Sequence, residues 1–128
     1  MAQGLGLGAA IDTAALAYLG DAVFELCVRE MLIAMGVSPR DLSNRAKDYV
    51  SATAQAAMYH KIFPQVTQEE QSIMKRGRNL HNHSRAKNAA VVDYRHATGL
   101  ETLFGFMYHC GDAVRVTALF ALCIKDDL

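Results

Sequence analysis

The stretch "ALAYLGDAVFEL", residues 15–26, is apolar almost throughout, yet it carries Asp21 directly after Gly20 and Glu25 one helical turn later. Leu16, Leu19, Val23, Leu26 and Ile33 recur at helical spacing, so the stretch belongs to a long helix. The spacing predicts a start near Thr13, capped by Asp12 or Thr13, and an end at Gly36. An acid within such a helix needs a partner, because burying an unpaired carboxylate is costly. Asp21 and Glu25 therefore mark this helix as more than packing.

Outward from this helix, the rest of the chain also reads as helical. Only two prolines occur in 128 residues, and strict two-residue alternation is missing. Ser38-Pro39 places an N-cap before a proline at the first helical position and opens a second helix. Ser51 caps another, which ends before Pro64. Thr67 and Glu70 form a T-x-x-E capping box that opens a helix through Met74 and Lys75. Residues 77–88, "GRNLHNHSRAKN", are polar, basic and rich in Gly and Asn, which predicts a loop. A long helix follows from Ala89 to His109, and Gly111-Asp112 breaks the chain and caps a last one. The expectation is a single all-α domain over residues 1–128, with 1–11 a flexible lead-in. "GLGLG" at 4–8 follows no strand and is not read as a dinucleotide loop.

Composition narrows the function classes. Hydrophobic residues make up 52% of the chain and the formal net charge is zero. A core is therefore affordable, and no global field draws the protein to nucleic acid or membrane. Cys27, Cys110 and Cys123 have apolar neighbours and read as reduced thiols of a cytoplasmic protein. The N-terminus lacks the basic and apolar regions of a signal peptide. No apolar run reaches the roughly 18 residues of a bilayer span, so no membrane partner is expected. Charge is nonetheless uneven. Residues 75–96 carry Lys75, Arg76, Arg78, Arg85, Lys87 and Arg95 against one acid, Asp93. Residues 1–35 carry Asp12, Asp21, Glu25 and Glu30 against one base, Arg29. A basic segment beside an acidic helix suits metal-assisted chemistry on a phosphodiester: bases hold the substrate backbone and acids hold the cation.

Two motifs give this chemistry a family. "LAYLGDAVFEL" resembles the signature helix of the ribonuclease III family, E-F-L-G-D-A-V-L-E, with Asp21 on the motif aspartate. "HATGLETLFGFMY", residues 96–108, resembles the later family helix A-D-x-x-E-A-L-x-G-A-x-Y. Glu101 falls on its glutamate and Gly105 on its small residue. "MKRGRN" (74–79) and "YRHATGLE" (94–101) look like the short bacterial branch of the family, Mini-ribonuclease III, which has the catalytic domain without a double-stranded-RNA-binding domain.

The resemblance implies an all-helical fold assembled as a two-fold homodimer. It implies Mg²⁺-dependent cleavage of double-stranded RNA, with Mn²⁺ able to substitute and each subunit cutting one strand. It further implies a role in maturing precursor large-subunit (23S) ribosomal RNA, with a ribosomal protein as a candidate helper. Asp21 and Glu101 become the catalytic residues and metal ligands. Mg²⁺ usually keeps several waters, so two protein carboxylates can suffice. Gly20 and Gly105 either permit close helix approach or leave room for metal and phosphate. The family site carries four carboxylates, and Ala17 and Thr98 occupy the positions of the other two. Glu25 shares the Asp21 face and is read as supporting the ligands or salt-bridged, rather than as a ligand itself.

Lys75, Arg76, Arg78, Asn79, Arg85, Lys87 and Arg95 are the candidate RNA contacts. Tyr94 is either a phosphate contact or a packed ring. His81 and His83 lack a third ligand at metal spacing and are expected to meet RNA or solvent. Phe104, Phe106, Met107 and Tyr108 belong to the core or a dimer interface. Two non-enzymatic readings stay open: a non-catalytic double-stranded-RNA-binding module of this fold, and a purely structural helical dimer. Retention of Asp21 and Glu101 opposes the first, and the basic segment opposes the second.

Overall fold

A computed structural model describes residues 11–81 and 88–126. Six α-helices follow one another there: α1 (Thr13–Ala34), α2 (Leu42–Val50), α3 (Ala52–Ile62), α4 (Gln68–Arg78), α5 (Ala89–His109) and α6 (Ala113–Ile124). No strand occurs among the described residues. The starts are written into the sequence. Asp12, Ser51, Thr67, Asn88 and Asp112 each accept a hydrogen bond from a backbone N–H three residues on. Glu70 returns the bond to the Thr67 N–H at 2.9 Å, completing the capping box. Such caps contribute about 1 kcal/mol each.

The long α5 runs through the middle of the bundle, with α1, α3 and α4 packed around it. Its Leu100, Leu103 and Phe104 are fully buried. Phe104 meets Phe24 of α1 edge to face at 5.2 Å, and Phe24 meets Phe120 of α6 at 5.6 Å. Met107 joins this core, Phe106 is half-buried, and Tyr108 is exposed. Cys27, Cys110 and Cys123 are free thiols, and burial pushes Cys123 up to about 12. Among the described residues no helix is long and apolar enough to cross a membrane.

Two expectations need correction. Pro39 opens a 3-10 turn, Pro39–Asp41, and the α-helix begins only at Leu42. Ser38 makes no side-chain cap bond, so nothing holds the first N–H groups in α geometry. The loop predicted from residue 77 begins later, because α4 continues through Arg78 and a 3-10 turn through His81. Gly77 is buried where α4 crosses α5; a Cβ there would lie 2.3 Å from the Thr102 hydroxyl and 2.9 Å from the Gly99 Cα. Its lack of a side chain serves helix contact, not a turn. The apolar stripe of α1, which the spacing read only as helical, divides between core and surface. Leu16 and Val23 enter the core, whereas Leu26 and Ile33 stay 54% and 66% exposed. Arg85, Lys87, His83 and most of the lead-in lie outside the described residues, as does the side chain of His81.

Candidate active site

Helical spacing builds one cleft from α1 and α5. Ala14, Ala17, Tyr18 and Asp21 line one wall, and Tyr94, Thr98 and Glu101 line the other. Leu80, from the turn after α4, closes one end of this space of about 270 Å³. Each set follows the three- and four-residue steps of a single helix face. The structure thus brings Asp21 and Glu101 together from residues 80 positions apart in the chain.

The two glycines set how close the walls come. A Cβ on Gly20 would stand 1.6 Å from the Glu101 carbonyl oxygen, and one on Gly105 would stand 2.0 Å from the Leu16 carbonyl oxygen. Of the two roles open for these glycines, close helix approach is therefore the one the geometry shows. Backbone rests on backbone at the crossing, and Asp21 and Glu101 are carried to each other by it.

Asp21 is exposed at the rim of the cleft, whereas Glu101 is half-buried. The acid in the apolar helix is thus not itself a buried charge, and Glu101 bears the electrostatic cost. Burial raises its pKa first, and the neighbouring Asp21 raises it further, by charge and by hydrogen bonding, to about 7. The Gln55 side chain acts in the opposite direction through its own hydrogen bond to Glu101. Among the described residues, no Lys, Arg or His lines the cleft.

The donor set is sparse. Among the described residues no group of three or more His, Cys, Asp or Glu is placed to hold a metal. Ala17 and Thr98 do line the cleft, but the Thr98 hydroxyl donates to the Tyr94 carbonyl at 2.9 Å and is committed to its own helix. Two carboxylates with open space beside them suit a hard cation that keeps most of its waters. Glu25 lies outside the cleft lining and is ion-paired with Arg29 at 2.6 Å.

The basic residues diverge. Arg76 is exposed and donates to the Thr13 hydroxyl at 3.0 Å, beside the first turn of α1 and hence near the cleft wall. Lys75 turns the other way and stands 5.9 Å over the Phe63 ring. Arg78 donates to the Asn79 side chain at 3.0 Å. Arg95 is half-buried on α5, next to the cleft residue Tyr94. Gln55 of α3 escaped the sequence reading. It is only 3% exposed and acts to lower the Glu101 pKa. Its only sequence signal is an amide set among alanines in "ATAQAAMYH", one turn before a tyrosine.

Comparison with known proteins agrees with this arrangement. Residues 14–112 match the Ribonuclease III domain. The chain is 47% identical over 105 residues to a Mini-ribonuclease 3 of Brevibacillus brevis, covering 81% of this chain and 78% of that one. It is 42% identical over 114 residues to the Mini-ribonuclease 3 of Enterococcus faecalis, covering 87% and 86%. A crystal structure of a Fusobacterium nucleatum protein, 30% identical, superposes with a TM-score of 0.78 over 93% of this chain and 96% of that chain. The chain therefore belongs to the ribonuclease III family and is an endoribonuclease, not a non-catalytic binding module or a purely structural dimer.

Proposed function

We propose that Asp21 and Glu101 are the catalytic carboxylates of this endoribonuclease, and that together they hold Mg²⁺, or Mn²⁺ in its place, while double-stranded RNA is cut. The observation that carries this reading is the meeting of two carboxyl groups in an open cleft, with no basic side chain among the described residues of its lining. A cation there offsets both the burial and the Asp21 charge that raise the Glu101 pKa to about 7. When bound, Mg²⁺ supplies an activated water and neutralises charge on the phosphodiester. The chain's own residues do the rest. Asp21 and Glu101 line the same space from two helices. Ala17 and Thr98 keep it wide enough for water and phosphate.

In this reading Arg76, supported by its bond to the Thr13 hydroxyl near the cleft, holds the RNA backbone. Lys75, Arg78, Asn79 and Arg95 extend that contact, and Arg85 and Lys87 continue the basic segment in sequence. Such contacts fix position and carry little base specificity.

Two strands need two clefts in fixed relation, which a two-fold dimer supplies. Tyr18, Leu26 and Ile33 expose one apolar face of α1, at 85%, 54% and 66%, and support its use as the interface with a second copy. The proposed substrate is precursor large-subunit (23S) ribosomal RNA, in the cytoplasm, with a ribosomal protein as helper. The test is cleavage of a long RNA duplex and of such a precursor, with Mg²⁺ and with chelator. Asp21→Asn and Glu101→Gln should each lose activity at least ~100-fold while still binding the duplex. Near wild-type cleavage by both would refute the assignment.

A further inference from the structure

The sequence leaves Tyr94 two roles, a phosphate contact or a packed ring. The structure removes the second. The ring is 54% exposed and lines the cleft from α5, on the helix face that also presents Thr98 and Glu101. Tyr94 lies seven positions before Glu101, about 10 Å along a helix axis. Side chains on one helix lean the same way along it, so this offset persists from backbone to tip. A duplex strand advances ~3.4 Å per nucleotide, which sets Tyr94 against sugars within about three nucleotides of the acids.

Hydroxyls of Tyr18, Tyr94 and Thr98 are the neutral donors of the cleft lining among the described residues. The Thr98 hydroxyl donates to the Tyr94 carbonyl. Tyr18 belongs to the exposed α1 face used above for a second copy. The Tyr94 phenol is therefore the α5 group suited to meet substrate. We propose that Tyr94 is a substrate-contacting residue that favours RNA: its hydroxyl hydrogen-bonds the 2′-hydroxyl of a ribose flanking the scissile bond. This rests on the placing of the cut at Asp21 and Glu101 proposed above.

The chemistry favours a sugar over a phosphate. A phosphate oxygen is charged and is met most strongly by a cation, which the described lining does not supply. A ribose hydroxyl is neutral and both donates and accepts, as a phenol does. An A-form duplex displays its 2′-hydroxyls along a wide, shallow minor groove, open to a side chain that stands up from a helix. DNA lacks that hydroxyl, so the contact adds to the choice of RNA.

The backbone beneath Tyr94 is braced. The Thr98 hydroxyl bonds its carbonyl at 2.9 Å, and the His96 Nδ1 donates to the Val92 carbonyl at 2.9 Å. The His96 ring packs against Tyr59 and His60 of α3, with centroids 4.8 Å and 4.4 Å apart. This turn of α5 thus rests on α3 while Tyr94 lines the cleft.

The test is a double-mutant cycle between Tyr94→Phe and single 2′-deoxy substitutions, placed at each of the nearest few nucleotides on both sides of the cut. With the wild-type protein one such position should cost ~5- to 10-fold in kcat/KM. Tyr94→Phe should cost about as much on the all-ribose duplex, and that deoxy position should then cost less than about twofold more. Phenylalanine keeps the ring, so Tm should change little. A deoxy penalty that is the same in both proteins at every position would overturn the proposal. So would a wild-type scan with no penalised position, a measurement that needs no variant. The cycle is repeated as duplex Kd with Ca²⁺ in place of Mg²⁺, so that RNA is bound and not cut. Coupling retained in Kd, alongside Asp21→Asn and Glu101→Gln proteins that cut at the wild-type rate, would refute the catalytic reading alone.

Discussion

Glu70 and Glu101 are two glutamates drawn into one helical bundle with opposite outcomes. Glu70 is 3% exposed and is clasped by the Arg115 guanidinium through two bonds of 2.7 Å. That hydrogen-bonded pair holds its pKa below the ordinary value, and the Thr67 backbone N–H adds to the effect. Glu101 keeps part of its surface open, yet its pKa rises to about 7, first through burial and then through Asp21. The lesson is that a cationic partner offsets the cost of burial, and Glu70 has one where Glu101 has a second acid. Glu70 is electrostatically complete and joins the start of α4 to the start of α6. Glu101 is left short of positive charge beside open space, which is where a cation or substrate can add something.

The sharpest way to break this contrast is to remove the charge from each glutamate in turn. Glu101→Gln should cost ~10³-fold in kcat, while Glu70→Gln should leave kcat within a few-fold at temperatures where it stays folded. Equal losses in a cleavage assay would erase the distinction. Next in size is the clasp itself. Arg115→Met strands a buried carboxylate and should cost about 2–4 kcal/mol in a urea melt, less than for a fully buried pair because the Arg115 side chain is 30% exposed. Pairing Arg115→Met with Glu70→Leu should recover much of that loss.

A smaller effect concerns pH. The folded pKa of Glu101 is raised, so its contribution to stability is complete below about 4.5 and is lost as pH rises through about 7. Glu70 runs the other way, with its contribution present above the ordinary carboxylate range and lost in acid. Metal-free wild-type protein should therefore lose a few degrees of Tm between pH 6 and 8, and Glu101→Gln should flatten that slope. An unchanged slope in the variant would assign the titration to another group. The smallest effect lies outside both sites. Arg76→Ala should reduce the salt dependence of duplex binding by about one unit, equally across sequences. An unaltered slope would place Thr13 and Arg76 away from RNA.

The sequence foretold the features that repeat along a helix or announce its ends. The caps at Asp12, Ser51, Thr67 and Asp112 are such features. So are Asp21 and Glu101, whose motif neighbours gave them a family before any contact was known. What escaped depends on the third dimension. A glutamine among alanines looks the same whether α3 turns it inward or outward, so Gln55 stayed hidden. Gly77 sits amid basic residues and reads as a loop, because composition does not reveal that Thr102 and Gly99 crowd it. α1 is apolar on two sides, and period alone did not say which side faces the core.

The backbone contact at Gly20 and Gly105 has a consequence for how the sequence can vary. Around most sites, rotamers absorb a change, so neighbours drift while the chemistry is kept. At this crossing no rotamer stands between the helices, and the spacing of the two helices that carry the acids is set by main chain. A saturation library selected for RNA cleavage should then show two positions without any chemical group tolerating as little as Asp21 and Glu101 themselves. Alanine, one methyl group larger, is already too large, so sequence tolerance at the site is governed by absence of atoms as strictly as by their presence.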